Sequence, residues 1–363
     1  MKAALHRFPD RPLREFAETI LTAKGARPAE ARIVADTLIE ADRRSVHTHG
    51  LIRLPSYCAQ IDAGEIDLRA EPRIEREHGP TAWIDGGLAF GAVTGTFAMS
   101  EALARAEQYG VGLVAARRCT HFGTASYYAL RAAERGVVGI AATNTPGVMA
   151  PWGGAEARLG NNPFALAAPL AGRPPFVLDM AQSAVSRGRI KLAELNGERI
   201  PTGWALDPEG RPATDPSQAL AGALLPFGGY KGYALALAVE FLTGVLAGGG
   251  LSPELLNTSM TGAPSGRSSA KIGSVGNLYA AIDPGRFAGR DAFLEQAGRL
   301  AEAMTSTPPA PGYEEVLLPG EPEARAASLA LTEGVGLQES AVEALKALGR
   351  RLGFPFPTAA GVS

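Results

Sequence analysis

Residues 111–143 read VGLVAARRCTHFGTASYYALRAAERGVVGIAAT. Val111 to Ala116 is a short, continuously apolar run, the mark of a buried strand, and Val137 to Thr143 repeats it. Between them Ser126 to Arg135 reads as a helix. On the N-terminal side, Thr81 to Asp85 is a strand followed by Gly86 and Gly87, and the Ala-rich Gly91 to Gln108 is helical. Phe176 to Asp179 and Asn277 to Asp283 are further strands, the second ended by Pro284. Strands alternating with helices define an α/β core. Helices flank it at Pro12–Ala23, Pro28–Arg44, Pro55–Ala63, Lys231–Leu246, Asp291–Met304 and Glu339–Leu352. In the second of these, Ile33, Val34, Leu38 and Ile39 form one apolar stripe, and Pro28 suits a first helical turn. The Gly-, Ser- and Pro-rich segment Thr261 to Ser274 reads as a surface loop and candidate lid.

The chain has 363 residues, more than one core comfortably serves, so two domains are expected. Apolar residues at 46% and charged residues at 20% exclude a disordered chain. With 35 Lys and Arg against 37 Asp and Glu there is no basic field to hold nucleic acid or an anionic membrane, so any anionic partner must be held by a local site. Cys58 and Cys119 form no CxxC pair and no disulfide framework, and the charged start of the chain is no signal peptide. The expected compartment is the cytoplasm. Gly232 to Gly250 is the most apolar stretch, but Glu240 stands in its middle, so a buried core helix is expected and not a membrane span.

No Walker A sequence and no GxSxG elbow occurs, and Gly110-Val111-Gly112 enters a strand where a dinucleotide loop would leave one. His47 and His49 hint at a metal, yet His78 and the carboxylates stand at no ligand spacing, so no metal is assigned and His6, His47 and His78 are read as surface residues. His49 and His121 have better neighbourhoods. Around His49 the sequence gathers the Thr48 hydroxyl, the Arg53 guanidinium, a helix start at Pro55 and the Tyr57 phenol, a set suited to a carboxylate. His121 follows the strand Val111–Ala116 at its C-terminal end, where α/β sheets bind ligands. The alternative for each is a hydrogen-bonded loop histidine. Lys231 opens a long apolar helix, either as an anion site or as a surface lysine.

In this order the segments resemble the type 2 malate/L-lactate dehydrogenase family, which includes ureidoglycolate, sulfolactate and diketogulonate enzymes and the piperideine- and pyrroline-2-carboxylate reductases. The matching residues are Thr48-His49-Gly50 with Arg53 and Tyr57, Thr120-His121-Phe122-Gly123, Thr143-Asn144, Gly153-Gly154 and Leu159-Gly160-Asn161-Asn162-Pro163. They continue with Val177 to Ser183, Ile200 to Ala205, Gly228 to Gly232 and Pro319-Gly320-Glu321.

The resemblance implies an α/β fold with a non-Rossmann cofactor-binding domain on a mixed sheet (residues 119–284). It implies a helical N- and C-terminal substrate and dimerisation domain (1–118 with 285–363). It further implies NAD or NADP as cofactor, a homodimer, and hydride transfer at C2 of a small 2-hydroxy or 2-oxo acid; a cyclic imino acid reductase is the alternative. A metal-dependent hydrolase or lyase is a remote rival. On this reading His49 and His121 are catalytic, with His49 favoured as the acid. Thr48, Arg53, Tyr57 and Asn161 meet the substrate, and Arg53 clamps its carboxylate. Thr143, Asn144, Asp179, Met180, Ala181, Ser183, Lys231, Gly320 and Glu321 meet the cofactor. Arg187, Arg189 and Lys191 are candidates for a 2′-phosphate, so NAD versus NADP stays open. Thr48 stands where the family has Ser, and Asn161 where it has Thr, which leaves substrate identity open.

Overall fold

The two strands of the 111–143 stretch run in the same direction, but a third strand lies between them. The computed structural model describes residues 5–255 and 275–359; the loop expected at 261–274 falls outside them. The chain begins with β1 (Leu5–Phe8), α1 (Asp10–Ala23), α2 (Pro28–Arg43) and α3 (Leu54–Asp62). Pro28 and Pro55 stand in the first turns of α2 and α3, where a missing N–H costs nothing. Then come β2 (Arg73–His78), β3 (Thr81–Asp85), α4 (Gly91–Tyr109), β4 (Val111–Cys119), α5 (Ala125–Ala133), β5 (Val138–Thr143), β6 (Phe164–Ala168) and β7 (Phe176–Met180).

A small lobe holds α6 (Arg187–Asn196), β8 (Ala205–Leu206), α7 (Pro216–Ala221) and β9 (Ala223–Leu224). Its helices are capped by side chains, Ser186 accepting from the Arg189 amide and Asp215 from those of Ser217 and Gln218. The chain then forms α8 (Tyr230–Glu240), which continues as a π-helical segment, Phe241–Leu246, and β10 (Val275–Ile282). It ends with α9 (Arg290–Thr305), α10 (Glu321–Glu333), β11 (Val335–Gln338) and α11 (Glu339–Leu352).

Seven strands form one mixed sheet in the order β2-β3-β4-β10-β5-β6-β7. β3 and β4 pair in parallel; every other neighbouring pair is antiparallel. β10 therefore splits β4 from β5, and β4, β5 and β7 all end on the same edge. Gly112 and Gly139 let helices lie directly on the sheet. A Cβ at Gly112 would come 1.9 Å from the Ala102 carbonyl oxygen, and one at Gly139 would come 2.4 Å from that of Ala129. Gly110 ends α4 at φ +85°. The Gly110-Val111-Gly112 run thus serves a helix cap and a close helix–strand contact.

Among the described residues three large apolar clusters underlie this plan, with a small fourth of Ala150, Leu206 and Ala223. One joins α1, α2, α3 and α11, one lies between the sheet and α4 and α5, and one fills the lobe against α8. β3 and β4 share a sheet with β10 and β5, so the boundary expected between 118 and 119 falls inside that sheet. The helix expected to be buried at 231–246 is buried on one side only. Leu235, Phe241, Leu242, Val245 and Leu246 are exposed on the other. His47 also departs from expectation. It is not a surface residue, because its Nδ1 lies 3.0 Å from the buried Asp42 carboxylate.

Candidate active site

The edge where β4, β5 and β7 end faces the turns that follow α2, and a cleft of about 750 Å³ lies between them. After α2 the chain makes two 3₁₀ turns, His47–His49 and Leu51–Arg53. One buried carboxylate folds both. Asp42 Oδ2 accepts from the Leu51 amide at 2.7 Å while Oδ1 meets His47. Gly50 packs so closely on Asp42 that a Cβ would come 2.1 Å from Oδ1. This turn presents Thr48, His49 and Arg53 to the cleft, and α3 adds Tyr57. Thr48 Oγ1 lies 2.9 Å from His49 Nδ1, and Arg53 Nε donates to the Thr48 carbonyl at 2.7 Å. Arg53 forms no salt bridge among the described residues, so its terminal nitrogens are available to an anion.

His121 comes from the opposite wall, in the turn between β4 and α5. Thr120 Oγ1 holds that turn by accepting from the Gly91 amide and donating to the Ala89 carbonyl. The two walls meet ring to ring. His49 and His121 stack with centroids 5.5 Å apart at 21°, and the Tyr57 hydroxyl lies 2.8 Å from His121 Nδ1. Burial, then the cation of Arg53, pulls the His49 pKa down to about 3. His121 is held well below the ordinary histidine value by burial, Arg53 and His49, in that order. Burial pushes the Tyr57 phenol up to about 12, so it keeps its proton. At neutral pH the group is therefore two neutral imidazoles, a phenol and a cationic guanidinium.

The third wall is formed by the ends of β5 and β7 with the 317–323 segment before and within α10. Asp179, at the end of β7, accepts from the Ser126 amide at the start of α5 at 2.8 Å, and burial raises its pKa. Gly320 takes φ +91° as it enters α10, and a Cβ there would come 2.6 Å from Val177 Cβ. Of the residues singled out by sequence, the cleft brings together Thr48, His49, Arg53, Tyr57, His121, Thr143, Asn144, Asn161, Asp179, Met180, Ala181 and Gly320. Three stand outside its lining. Ser183 Oγ donates to the Val185 carbonyl, Glu321 accepts from the Leu318 amide, and Lys231 is exposed on the first turn of α8.

Arg44, Ser126, Thr145 and Glu323 also line the cleft without having been singled out. Thr145 directly follows the Thr143-Asn144 pair, and the others carry no local signal. Among the described residues no three His, Cys, Asp or Glu side chains are grouped to hold a metal.

The family model for malate/L-lactate dehydrogenase matches residues 8–346. The malate dehydrogenase of Pyrococcus horikoshii is 37% identical over 355 residues, 96% of each chain. The Δ1-pyrroline-2-carboxylate reductase of Ancylobacter novellus is 34% identical, with 91% of this chain and 94% of that one covered. The solved structure of sulfolactate dehydrogenase from Methanocaldococcus jannaschii superposes with a TM-score of 0.87 at 34% identity, covering 96% of this chain and 98% of that one. These matches define the class as an enzyme, with the cleft at the strand ends as its candidate active site. The chain is a member of the malate/L-lactate dehydrogenase family, and its activity is of the dehydrogenase/reductase class.

Proposed function

We propose that this protein is an NAD(P)-dependent oxidoreductase acting at C2 of a small 2-hydroxy or 2-oxo acid. The observation that carries this reading is the stacked His49–His121 pair in one cleft with the guanidinium of Arg53, which forms no salt bridge among the described residues. The lining fits a nicotinamide dinucleotide. The volume of about 750 Å³ lies within the range of cofactor pockets, and its strand-end wall offers the hydroxyl of Thr143, the carboxyl of Asp179 and the Gly320 backbone, held directly against Val177, as groups for a ribose or phosphate. Thr143, Asn144, Asp179, Met180, Ala181 and Gly320 form the proposed cofactor wall; Ser183, Lys231 and Glu321 are left out of it. When bound, the nicotinamide gives or takes the hydride at C2. The antiparallel β10 between β4 and β5 supports a non-Rossmann mode of cofactor binding.

The chain's own residues manage the charge and the proton. Arg53 binds the substrate carboxylate through its free nitrogens. That anion offsets the cation that lowers both histidines, so the rings become more basic as substrate binds, although burial still opposes their charging. His121 takes the proton role in preference to His49. Its Nδ1 is engaged by Tyr57, which leaves Nε2 for the substrate oxygen, and Tyr57 remains protonated behind it. His49, held by Thr48, orients the substrate beside it.

A cyclic imino acid is the second substrate class. It shares the carboxylate, and a protonated imine needs no charged histidine in a site where both rings are held neutral. The exposed apolar face of α8 and its π segment supports a homodimer, and the buried free thiols of Cys58 and Cys119 support the cytoplasm.

The deciding experiment measures NADH and NADPH oxidation against a panel of 2-oxo acids and cyclic imines. It is repeated with His121→Ala and His49→Ala. His121→Ala is expected to lower turnover more than a hundredfold, about 3 kcal/mol of barrier, with cofactor binding intact. A His121→Ala enzyme within about threefold of wild type would remove His121 from the proton role.

A further inference from the structure

Glu240, the last residue of α8, is only 6% exposed and forms no salt bridge among the described residues. Such a carboxylate is costly unless donors surround it. Its donors come from three separate segments. Asn144 Nδ2 donates to Oε1 at 3.1 Å, Asn162 Nδ2 to Oε2 at 2.7 Å, and Ser252 contributes both its amide and its hydroxyl. Gly244, one turn on, is packed against the same group. A Cβ there would come 2.9 Å from Glu240 Oε1 and 3.2 Å from Asn144 Nδ2.

A carboxylate only accepts, so it holds the donor ends of its partner amides inward, where Asn162 Nδ2 also donates to the Ala236 carbonyl at 2.9 Å and Asn144 Nδ2 to the Gly250 carbonyl at 2.7 Å. With their NH₂ groups turned to Glu240, both asparagines aim their carbonyl oxygens at the strand-end loops. Asn144 Oδ1 accepts from the Gly276 amide at the start of β10 at 2.9 Å. Asn162, held at φ +33°, accepts from the Thr145 amide at 3.0 Å. Thr145 Oγ1 in turn donates to Asn161 Oδ1 at 2.8 Å, and Thr145 and Asn161 both line the cleft.

We propose that Glu240 is a positioning residue for the reaction: acting through Asn162 and Thr145, it sets the cleft wall at Asn161. The role in turnover rests on the dehydrogenase reading, whereas the geometric relay does not. Glu240→Gln keeps the shape but presents an NH₂ group where only acceptors stood. With that group facing Asn162 Nδ2 the two donors repel, and the Asn162 amide is displaced from the Thr145 amide that donates to it.

The test is amide hydrogen exchange and kinetics on the full-length Glu240→Gln protein. Exchange at Thr145 should rise at least tenfold while the amides of Ile140 to Ala142 keep their protection. This readout stands even for a protein that turns over none of the assayed acids, so it fails independently of the dehydrogenase reading. In the active enzyme kcat/KM should fall roughly tenfold, with the change in the KM of the acid and not in that of the cofactor. In a Thr145→Val background the same substitution should cost less than about threefold, because coupled residues are not additive. Unchanged exchange at Thr145, or equal losses in both backgrounds, would overturn the proposal. Should Glu240→Gln fail to fold, Thr145→Val alone decides. It should reproduce the KM defect at an unchanged melting temperature, and wild-type kinetics would reject the relay.

Discussion

Arg53 carries the most specific chemistry of any single residue in the cleft. Its Nε is committed to the Thr48 carbonyl, which fixes the plane of the guanidinium and leaves its outer edge to pair with both oxygens of a carboxylate. An ammonium keeps the charge but not the fork. Arg53→Lys is therefore expected to lose about 2 to 3 kcal/mol in kcat/KM. Discrimination between an acid and its amide should collapse in Arg53→Ala; a preserved acid-to-amide ratio would place Arg53 elsewhere than on the carboxylate. His49 gives a second prediction, with a definite sign. Its pKa is about 3 in the folded chain against 6.5 ordinarily, so between those values the unfolded chain binds a proton here that the folded chain does not. Stability contributed by the neutral ring is thus complete above about pH 6.5 and is lost as pH falls toward 3. Asp42 and Asp179, both raised by burial, act with the opposite sign and gain on acidification. The wild-type curve mixes these effects, but its difference from His49→Gln isolates the histidine. Melting temperatures from pH 7 down to pH 4 should fall less steeply in His49→Gln, and parallel curves would show that the ring is not held neutral.

At the scale of elements, the two 3₁₀ turns after α2 depend on Asp42, and Gly50 is the sensitive point. Its φ of −84° suits any residue, so the demand for glycine is steric alone. In Gly50→Ala the new methyl must displace the Asp42 carboxylate and break its bond to Leu51 or to His47. We expect a stability loss of about 1 to 3 kcal/mol, as for overpacking elsewhere, together with a marked fall in kcat/KM as His49 and Arg53 shift. Denaturant melts and steady-state kinetics on the one variant check both, and a destabilised enzyme of normal kcat/KM would detach the turn from catalysis. Nothing in the run Asp42 to Gly50 announces this arrangement, whereas the apolar runs that became β4, β5, β7 and β10 were legible to within three residues at each end. Buried strands advertise themselves by continuous apolarity. β2 does not, because it is a charged, mostly exposed edge strand, and the Ala-rich β6 lacks β-branched residues. His49, Arg53, Tyr57 and His121 were legible because each sits in a short cluster of hydrogen-bonding and glycine residues. Glu240 read only as a charge interrupting an apolar helix, since its partner Asn144 is 96 residues away. The insertion of β10 between β4 and β5 was likewise invisible, because pairing of strands so far apart leaves no local pattern.

For the molecule as a whole, the surface of α8 and its π segment is the feature a single chain leaves unexplained. Leu235, Phe241, Leu242, Val245 and Leu246 are 37–59% exposed, and their spacing of three, four and seven residues puts them on one side of a continuous helix. The other side, through Ala236, Val239, Glu240, Thr243 and Gly244, is buried against the lobe and the strand ends. A two-sided helix of this kind has its polar anchor inward and an apolar stripe outward, the reverse of a helix that ends at solvent. In the proposed homodimer the occupant is the same stripe on a second copy, because a two-fold axis lets one helix face pack against itself. Full burial of such a side chain contributes about 1.5 to 3 kcal/mol; these are already about half-covered, so each adds roughly 1 kcal/mol, and five from each copy form a centre for an interface. Two charges placed there should abolish it. Leu242→Glu combined with Val245→Glu is expected to convert a dimer into a monomer in sedimentation at micromolar concentration, with the far-ultraviolet circular dichroism unchanged. Glu240 lies on the buried side of the same helix, so loss of the partner should also lower kcat/KM through the strand-end loops. A wild-type monomer, or a double variant that still sediments as a dimer, would assign the stripe a different role.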